Sequence, residues 1–196
     1  MITKLKGFDQ IDPNDLELSP FKAIGKDWME LVAGEPEGEI GAMTCSWGGL
    51  GVMWNKPVAF VVVRGEKFRY TRHILDAQPF FNLCFLPREL QKAKTFLGST
   101  HGWDVPNKIE AAGLTCGWCG AEVTHNPKHG IDEHLHAPFI EESQAVLFCE
   151  TVCSQELSKD TFFSPSVCER WYTEEGYHRL YIAEIRAAFI RPTEEA

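Results

Sequence analysis

MTCSWGGLGVMWNKPVA, residues 43–59, is the stretch from which the rest of the chain is read. Residues 40–47 have strand character, and Thr44 and Ser46 alternate around Cys45 so that both hydroxyls fall on one face. Gly48-Gly49-Leu50-Gly51 then breaks the pattern, because glycine weakens a strand interior and allows close backbone approach. From Pro57 the run PVAFVVVR, residues 57–64, is the strongest strand in the sequence. Its continuous apolar, β-branched character predicts burial on both faces.

Working outward, residues 28–33 form a second strand-like run, and the Gly/Pro cluster at 34–38 turns it into a hairpin with residues 40–47. Residues 70–77 read as a short helix with Thr71 as its cap. Residues 80–86 return to strand. Pro87 then suits the first position of a helix carrying Leu90, Ala93, Lys94 and Leu97, with Gly98 as its stop. Residues 107–112 form a short helix ended by Gly113, and residues 114–138 have no clean periodicity. A strand at 144–152, a helical turn at 165–172 and a long strand at 177–188 complete the chain. Many strands with short helices between them predict a β-rich α+β fold, one domain over residues 1–196.

Composition narrows the function. A length of 196 residues buries a core without staples. The formal net charge of −9 and pI near 5.3 argue against general nucleic-acid binding. Lys56, Arg64, Lys67, Arg69 and Arg72 nevertheless crowd into one stretch, either as a phosphate site or as a solvated turn. The N-terminal residues lack an apolar signal region, and no window approaches the ~20 apolar residues of a membrane span. A cytoplasmic location is the expectation, and the odd count of seven cysteines agrees with reduced thiols. No G-x-G-x-x-G opens a helix, and there is no Walker A sequence.

The run at 43–59 closely resembles the M-T-x-S-W-G-G-L-G-x-x-W-N-K-P-V pattern of the flavin reductase-like, flavoredoxin-type family. The resemblance continues through Val63-Arg64, Arg69-Tyr70-Thr71, Phe85-Leu86-Pro87, Ala112-Gly113-Leu114-Thr115 and residues 177–185. It implies an FMN-binding split β-barrel with short peripheral helices, working as a homodimer with flavin near the subunit interface. By position in the motif it assigns phosphate contacts to Thr44, Ser46, Arg64, Arg69 and Thr71. Ring or ribityl contacts fall to Trp47, Gly48, Leu50, Gly51 and Lys56, with Ser99, Gly102 and His178 nearby. The implied chemistry is the cofactor's: electrons pass from NAD(P)H or another donor through FMN, and no side chain acts as a nucleophile. The alternatives are an FMN-binding electron carrier without NAD(P)H activity, or a zinc or dithiol site in residues 116–136 that serves a different function.

Two departures from the family pattern stand out. Where the family reads S-G-R-D, this chain has Ser99 to Asp104 with Trp103 in place of the arginine. The stretch from Cys116 to Pro138 holds a C-x-x-C pair, Cys116 and Cys119, followed by His125 and His129 among four histidines. These residues are a zinc set, a redox dithiol or an inert loop. Cys45, Cys84, Cys149, Cys153 and Cys168 read as small core residues.

Overall fold

Trp54 and Asn55 both have positive φ, 52° and 57°, the backbone of a two-residue hairpin turn that matches strand twist. That turn folds β4 (Gly48–Met53) back on β5 (Lys56–Arg64), pairing Gly48 with Val61 and Met53 with Lys56. The glycine-rich segment expected to break the sheet is therefore one of its strands. The turn carries Trp-Asn rather than a glycine dipeptide, so its signal is absent from the residue types.

The computed structural model describes residues 4–65, 69–122, 134–172 and 176–192. Within them, β1 (Asp9–Ile11), β2 (Met29–Gly34), β3 (Ile40–Cys45), β6 (Phe80–Phe85), β9 (Ala145–Glu156) and β10 (His178–Ile190) join β4 and β5 in one sheet. Its order is β3-β2-β6-β9-β10-β5-β4, with β1 paired to β10. β3 and β4 thus form opposite edges, yet only Ser46 and Trp47 separate them in sequence. Three Cα–Cα steps span at most roughly 11 Å. The sheet is therefore rolled until its edges approach without pairing, which is a split barrel.

Inside the roll sits one apolar cluster, including Met29, Leu31, Met43, Val61, Val63, Phe81, Leu83 and Tyr181. A second cluster, with Val32, Phe80, Leu97, Ile109, Phe139 and Phe148, lies on the outer face. It packs beneath α3 (Gln91–Ser99), α4 (Lys108–Ala111) and a hairpin of β7 (Cys116–Glu122) and β8 (His134–Ile140). The hairpin occupies the stretch without periodicity. Asn82 Nδ2 ties it to the sheet by donating to the carbonyls of Ala137 and Pro138, at 3.1 and 3.0 Å. The remaining helices are α1 (Pro20–Ala23), α2 (Tyr70–Ala77) and α5 (Pro165–Trp171).

Several local expectations change. Burial along β5 alternates beyond Ala59, with Phe60, Val62 and Arg64 only half-buried, because one face of this strand looks into the split. Arg69, not Thr71, is the cap residue of α2, and Thr71 lies buried in its first turn. A 3-10 turn at Arg88–Leu90 precedes α3. Gly98 lies within α3 rather than stopping it, and its lack of a side chain lets the helix approach β3, since a Cβ there would sit 3.1 Å from the Cβ of Thr44. Cys153 is exposed rather than part of the core.

α2 is held to the long strands by a charged network. Asp76 accepts from Tyr181 Oη (2.5 Å), Arg179 Nη1 (2.9 Å) and Arg72 Nε (3.2 Å), while Arg72 Nη2 and Arg179 Nε reach Glu156 Oε2 at 2.6 and 3.0 Å. At the other side of the split, Gly48 has φ +155° and a Cβ would meet the Phe60 carbonyl oxygen at 2.4 Å. Gly48→Ala is expected to destabilise the fold by about 2 kcal/mol, read as a lower urea midpoint. An unchanged midpoint would show that β4 is placed differently.

Candidate functional site

A pocket of about 430 Å³ opens where the two sheet edges approach. The end of β3 and the link to β4 contribute Met43, Thr44, Cys45, Ser46 and Trp47. β5 contributes Val62 and Arg64, β10 contributes His178, and Arg69 and Trp171 enter from the ends of α2 and α5. Because strand side chains alternate, Val62 and Arg64 share the face of β5 that looks into the split. His178 pairs directly with Arg64 across the two strands.

Aromatic rings form one side of this pocket. Trp47 meets Trp171 edge-on at 4.9 Å and 89°, and lies 5.0 Å from the His178 ring. Arg64 Nη2 donates to the Trp171 carbonyl at 2.6 Å, which anchors the end of α5 beside the pocket. A narrow recess shares Met43 and Arg69 with the pocket and is lined further by Tyr70, Thr71, Gly102 and Lys108. It sits at the N-terminal end of α2, where backbone N–H groups lack intrahelical partners.

The pocket is electropositive although the chain is acidic. Burial and the neighbouring Arg64, Arg69 and Arg72 guanidinium groups push the His178 pKa down to about 4, against a small opposing effect of Glu156. His178 is therefore neutral at pH 7, with Nδ1 and the Tyr172 hydroxyl 2.9 Å apart. Arg64 and Arg69 carry the positive charge.

Behind the wall lies a buried polar group that residue types alone did not reveal. Glu30, fully buried on β2, pairs across the hairpin with Thr44. The Thr44 hydroxyl is 2.5 Å from the Lys94 carbonyl oxygen and 2.7 Å from Glu30 Oε2. One hydroxyl proton serves only one acceptor, and a carbonyl never donates. Both contacts are hydrogen bonds when Glu30 is protonated and donates to Thr44, which donates to Lys94. The electrostatics agree: burial raises Glu30 to about 8, outweighing the opposing charges of Lys94 and Lys108. Lys94 Nζ donates to the Asp27 carbonyl, and Lys108 Nζ to those of Ala42 and Leu97. Burial, then Arg69, lowers Lys108 to about 8.

The residues singled out from sequence divide into three groups. Thr44, Ser46, Trp47, Arg64, Arg69 and His178 come together in the pocket, and Thr71 and Gly102 line the recess. Gly48, Leu50, Gly51, Lys56 and Ser99 line neither cavity. Leu50 packs on the inner core, Lys56 pairs with Glu184 at 2.5 Å, and Ser99 Oγ donates to the Thr95 carbonyl. Lys56 begins β5 and Arg64 ends it, so eight strand steps of roughly 3.3 Å separate them. The basic cluster is dispersed in the same way. Arg72 joins the Asp76–Glu156 network, and Lys67 lies outside the described residues.

Trp171, Val62 and Lys108 enter the two cavities without having been anticipated. Trp103, in the family's arginine position, stacks edge-on against Tyr70 at 4.5 Å. Cys116 and Cys119 are three residues apart on β7, so their side chains leave opposite faces of the strand. Burial raises their pKa values to about 11 and about 12, which keeps both thiols protonated. His125 and His129 lie outside the described residues. No cluster of three metal-binding side chains occurs among those described.

No family model and no curated protein matches the chain, but solved structures do. The FMN-binding domain of a flavin reductases-like enzyme from Shewanella baltica OS155 matches with a TM-score of 0.59 at 16% identity, over 94% of this chain and 77% of that one. Flavoredoxin from Methanosarcina acetivorans matches with a TM-score of 0.59 at 18% identity, over 87% and 71%. An FMN-binding protein from Thermus thermophilus matches at 0.55 and 17% identity, over 84% and 70%. The fold is that of the flavin reductase-like split barrel. No helix among the described residues is long and apolar enough to cross a membrane.

Glu30 makes a testable contribution to pH dependence. Its pKa rises on folding from an ordinary 4.5 to about 8, so the folded chain holds more protons than the unfolded chain between those values. Its contribution to stability therefore falls as pH rises through that window. Urea unfolding of Glu30→Gln is expected to lose this fall, so that the variant gains on the native chain between pH 5 and pH 8. Parallel profiles would show that Glu30 ionises normally.

Proposed function

We propose that the pocket at the split binds FMN and that the chain is a flavin-dependent oxidoreductase. The observation that carries this reading is the convergence of Arg64 and Arg69 on a pocket edged by Trp47 and a neutral His178, in a chain of net charge −9. FMN joins a flat apolar ring to an anionic phosphate, and the residues present fit both ends. Arg64 and Arg69 suit the phosphate, with Ser46 toward the same end. Trp47, Val62 and His178 suit the ring. The Thr44 hydroxyl is committed to Glu30 and Lys94, so Thr44 serves here as wall rather than as a phosphate ligand.

Bound flavin would supply hydride and single-electron chemistry. The chain's own groups bind and orient it, the aromatic side limits water, and neutral His178 adds no further cation beside the ring. NAD(P)H is the proposed donor. The second reading, an FMN-bound electron carrier served by a redox protein, is favoured by Trp103, which replaces the family's arginine and packs on Tyr70. We further propose that the chain is one cytoplasmic domain working as a homodimer. The dimer is supported by the edge of β4, unpaired among the described residues, and the turn after it, where Val52 and Trp54 are 74% and 52% exposed.

Loss of a charge-assisted contact costs about 1.5–3 kcal/mol. Arg64→Ala and Arg69→Ala are each expected to weaken FMN binding by about tenfold or more, measured by quenching of flavin fluorescence. Unchanged affinity in both would place the phosphate elsewhere. Steady-state oxidation of NAD(P)H by the FMN-loaded chain separates the enzyme from the carrier.

A further inference from the structure

Residues between Lys159 and Tyr172, together with Tyr177, line a second cavity of about 720 Å³. Its wall contains Phe162, Tyr172 and Tyr177, all half-buried, and the buried thiol of Cys168. The two tyrosine rings stack at 4.8 Å and 20°, while Phe162 is inclined to them by 53° and 39° at 5.4 and 6.2 Å. Cys168 Sγ lies 3.6 Å from the Tyr177 hydroxyl. Tyr172 links this wall to residues of the first pocket: its hydroxyl lies 2.9 Å from His178 Nδ1 and its ring 5.9 Å from the Arg64 guanidinium.

The charge around this second cavity is opposite to that of the first. Among the described residues its rim carries the carboxylates of Asp160 and Glu169 and the ammonium of Lys159, whereas the first pocket carries two arginines. Aromatic faces present negative potential to a ligand and favour flat apolar or cationic groups. A phosphate- or carboxylate-bearing molecule would meet net repulsion at this rim. Its volume falls within the range of small-molecule sites.

We propose that this second cavity binds a planar aromatic molecule that is uncharged or cationic. Phe162, Tyr172 and Tyr177 supply the flat surface, and Asp160 and Glu169 set the charge preference. The chain then holds two sites of opposite sign, one for an anionic ligand and one for an uncharged or cationic aromatic ligand. This assignment rests on the second cavity alone and holds whatever occupies the first.

The test is isothermal titration calorimetry of the whole chain with N-methylquinolinium and with 2-naphthoate, planar probes of similar size and opposite charge. The native chain is expected to bind N-methylquinolinium at least about fivefold more tightly than 2-naphthoate. Glu169→Lys, at an exposed position, is expected to abolish or reverse that order, and Phe162→Ala to weaken the binding of N-methylquinolinium. FMN affinity, measured separately, is expected to stay unchanged in both variants. Absence of heat with N-methylquinolinium, or an order unaltered by Glu169→Lys, would overturn the proposal. Because Glu169→Lys leaves the aromatic wall intact, its result stands even if Phe162→Ala fails to fold. Failure of FMN to bind would leave this result untouched and would bear only on the first pocket.

Discussion

Two residues, Ser46 and Trp47, join strands at opposite edges of an eight-stranded sheet, and the rest of the architecture accommodates that short link. An open, flat sheet of this order would hold those edges far apart, since neighbouring strands lie about 4.8 Å from one another. The chain must therefore roll the sheet, and the incomplete meeting of its edges leaves a cleft at the link itself. Trp47 stands at the mouth of that cleft, with Arg64 and His178 on adjacent strands within it. The covalent constraint that shapes the barrel also locates the pocket.

The polar groups around the cleft are sorted by depth. Arg64 and Arg69 reach the pocket, while Arg72 and Arg179 are neutralised by Asp76 and Glu156 beside it. Behind the wall, Glu30, Thr44 and Lys94 form a hydrogen-bonded chain that needs a protonated carboxyl. This arrangement fixes the Thr44 hydroxyl without placing a negative charge behind the pocket. With Lys94 and Lys108 also buried there, the potential behind the wall stays favourable to an anion.

Much of the fold was legible in the residues. The buried strand at β5, the hairpin of β2 and β3, and the long final strand follow from β-branched runs and turn residues. β4 was not legible, because three glycines mask a strand whose existence depends on pairing with β5 and on the positive φ of Trp54 and Asn55. The β7–β8 hairpin lacked periodicity because it lies across the outer core and is fixed there by Asn82, a long-range contact. Among candidate site residues, those on β3, β5 and β10 converge because strand alternation places them on the cleft face. Lys56 and Leu50 share the motif but lie toward the far end of the β4–β5 hairpin, which spacing along a sequence does not show. Trp171 was hidden for another reason: it reaches the pocket from the end of α5 through long-range contacts, its carbonyl accepting from Arg64 and its ring meeting Trp47.

The absorption spectrum of the purified chain, before and after addition of FMN and removal of the excess, tests the central claim most directly. The visible bands of oxidised flavin are expected, with FMN released on denaturation in a ratio near one per chain. A chain that stays colourless and retains no FMN would contradict that claim, since the arginine-lined cleft would then serve some other anion.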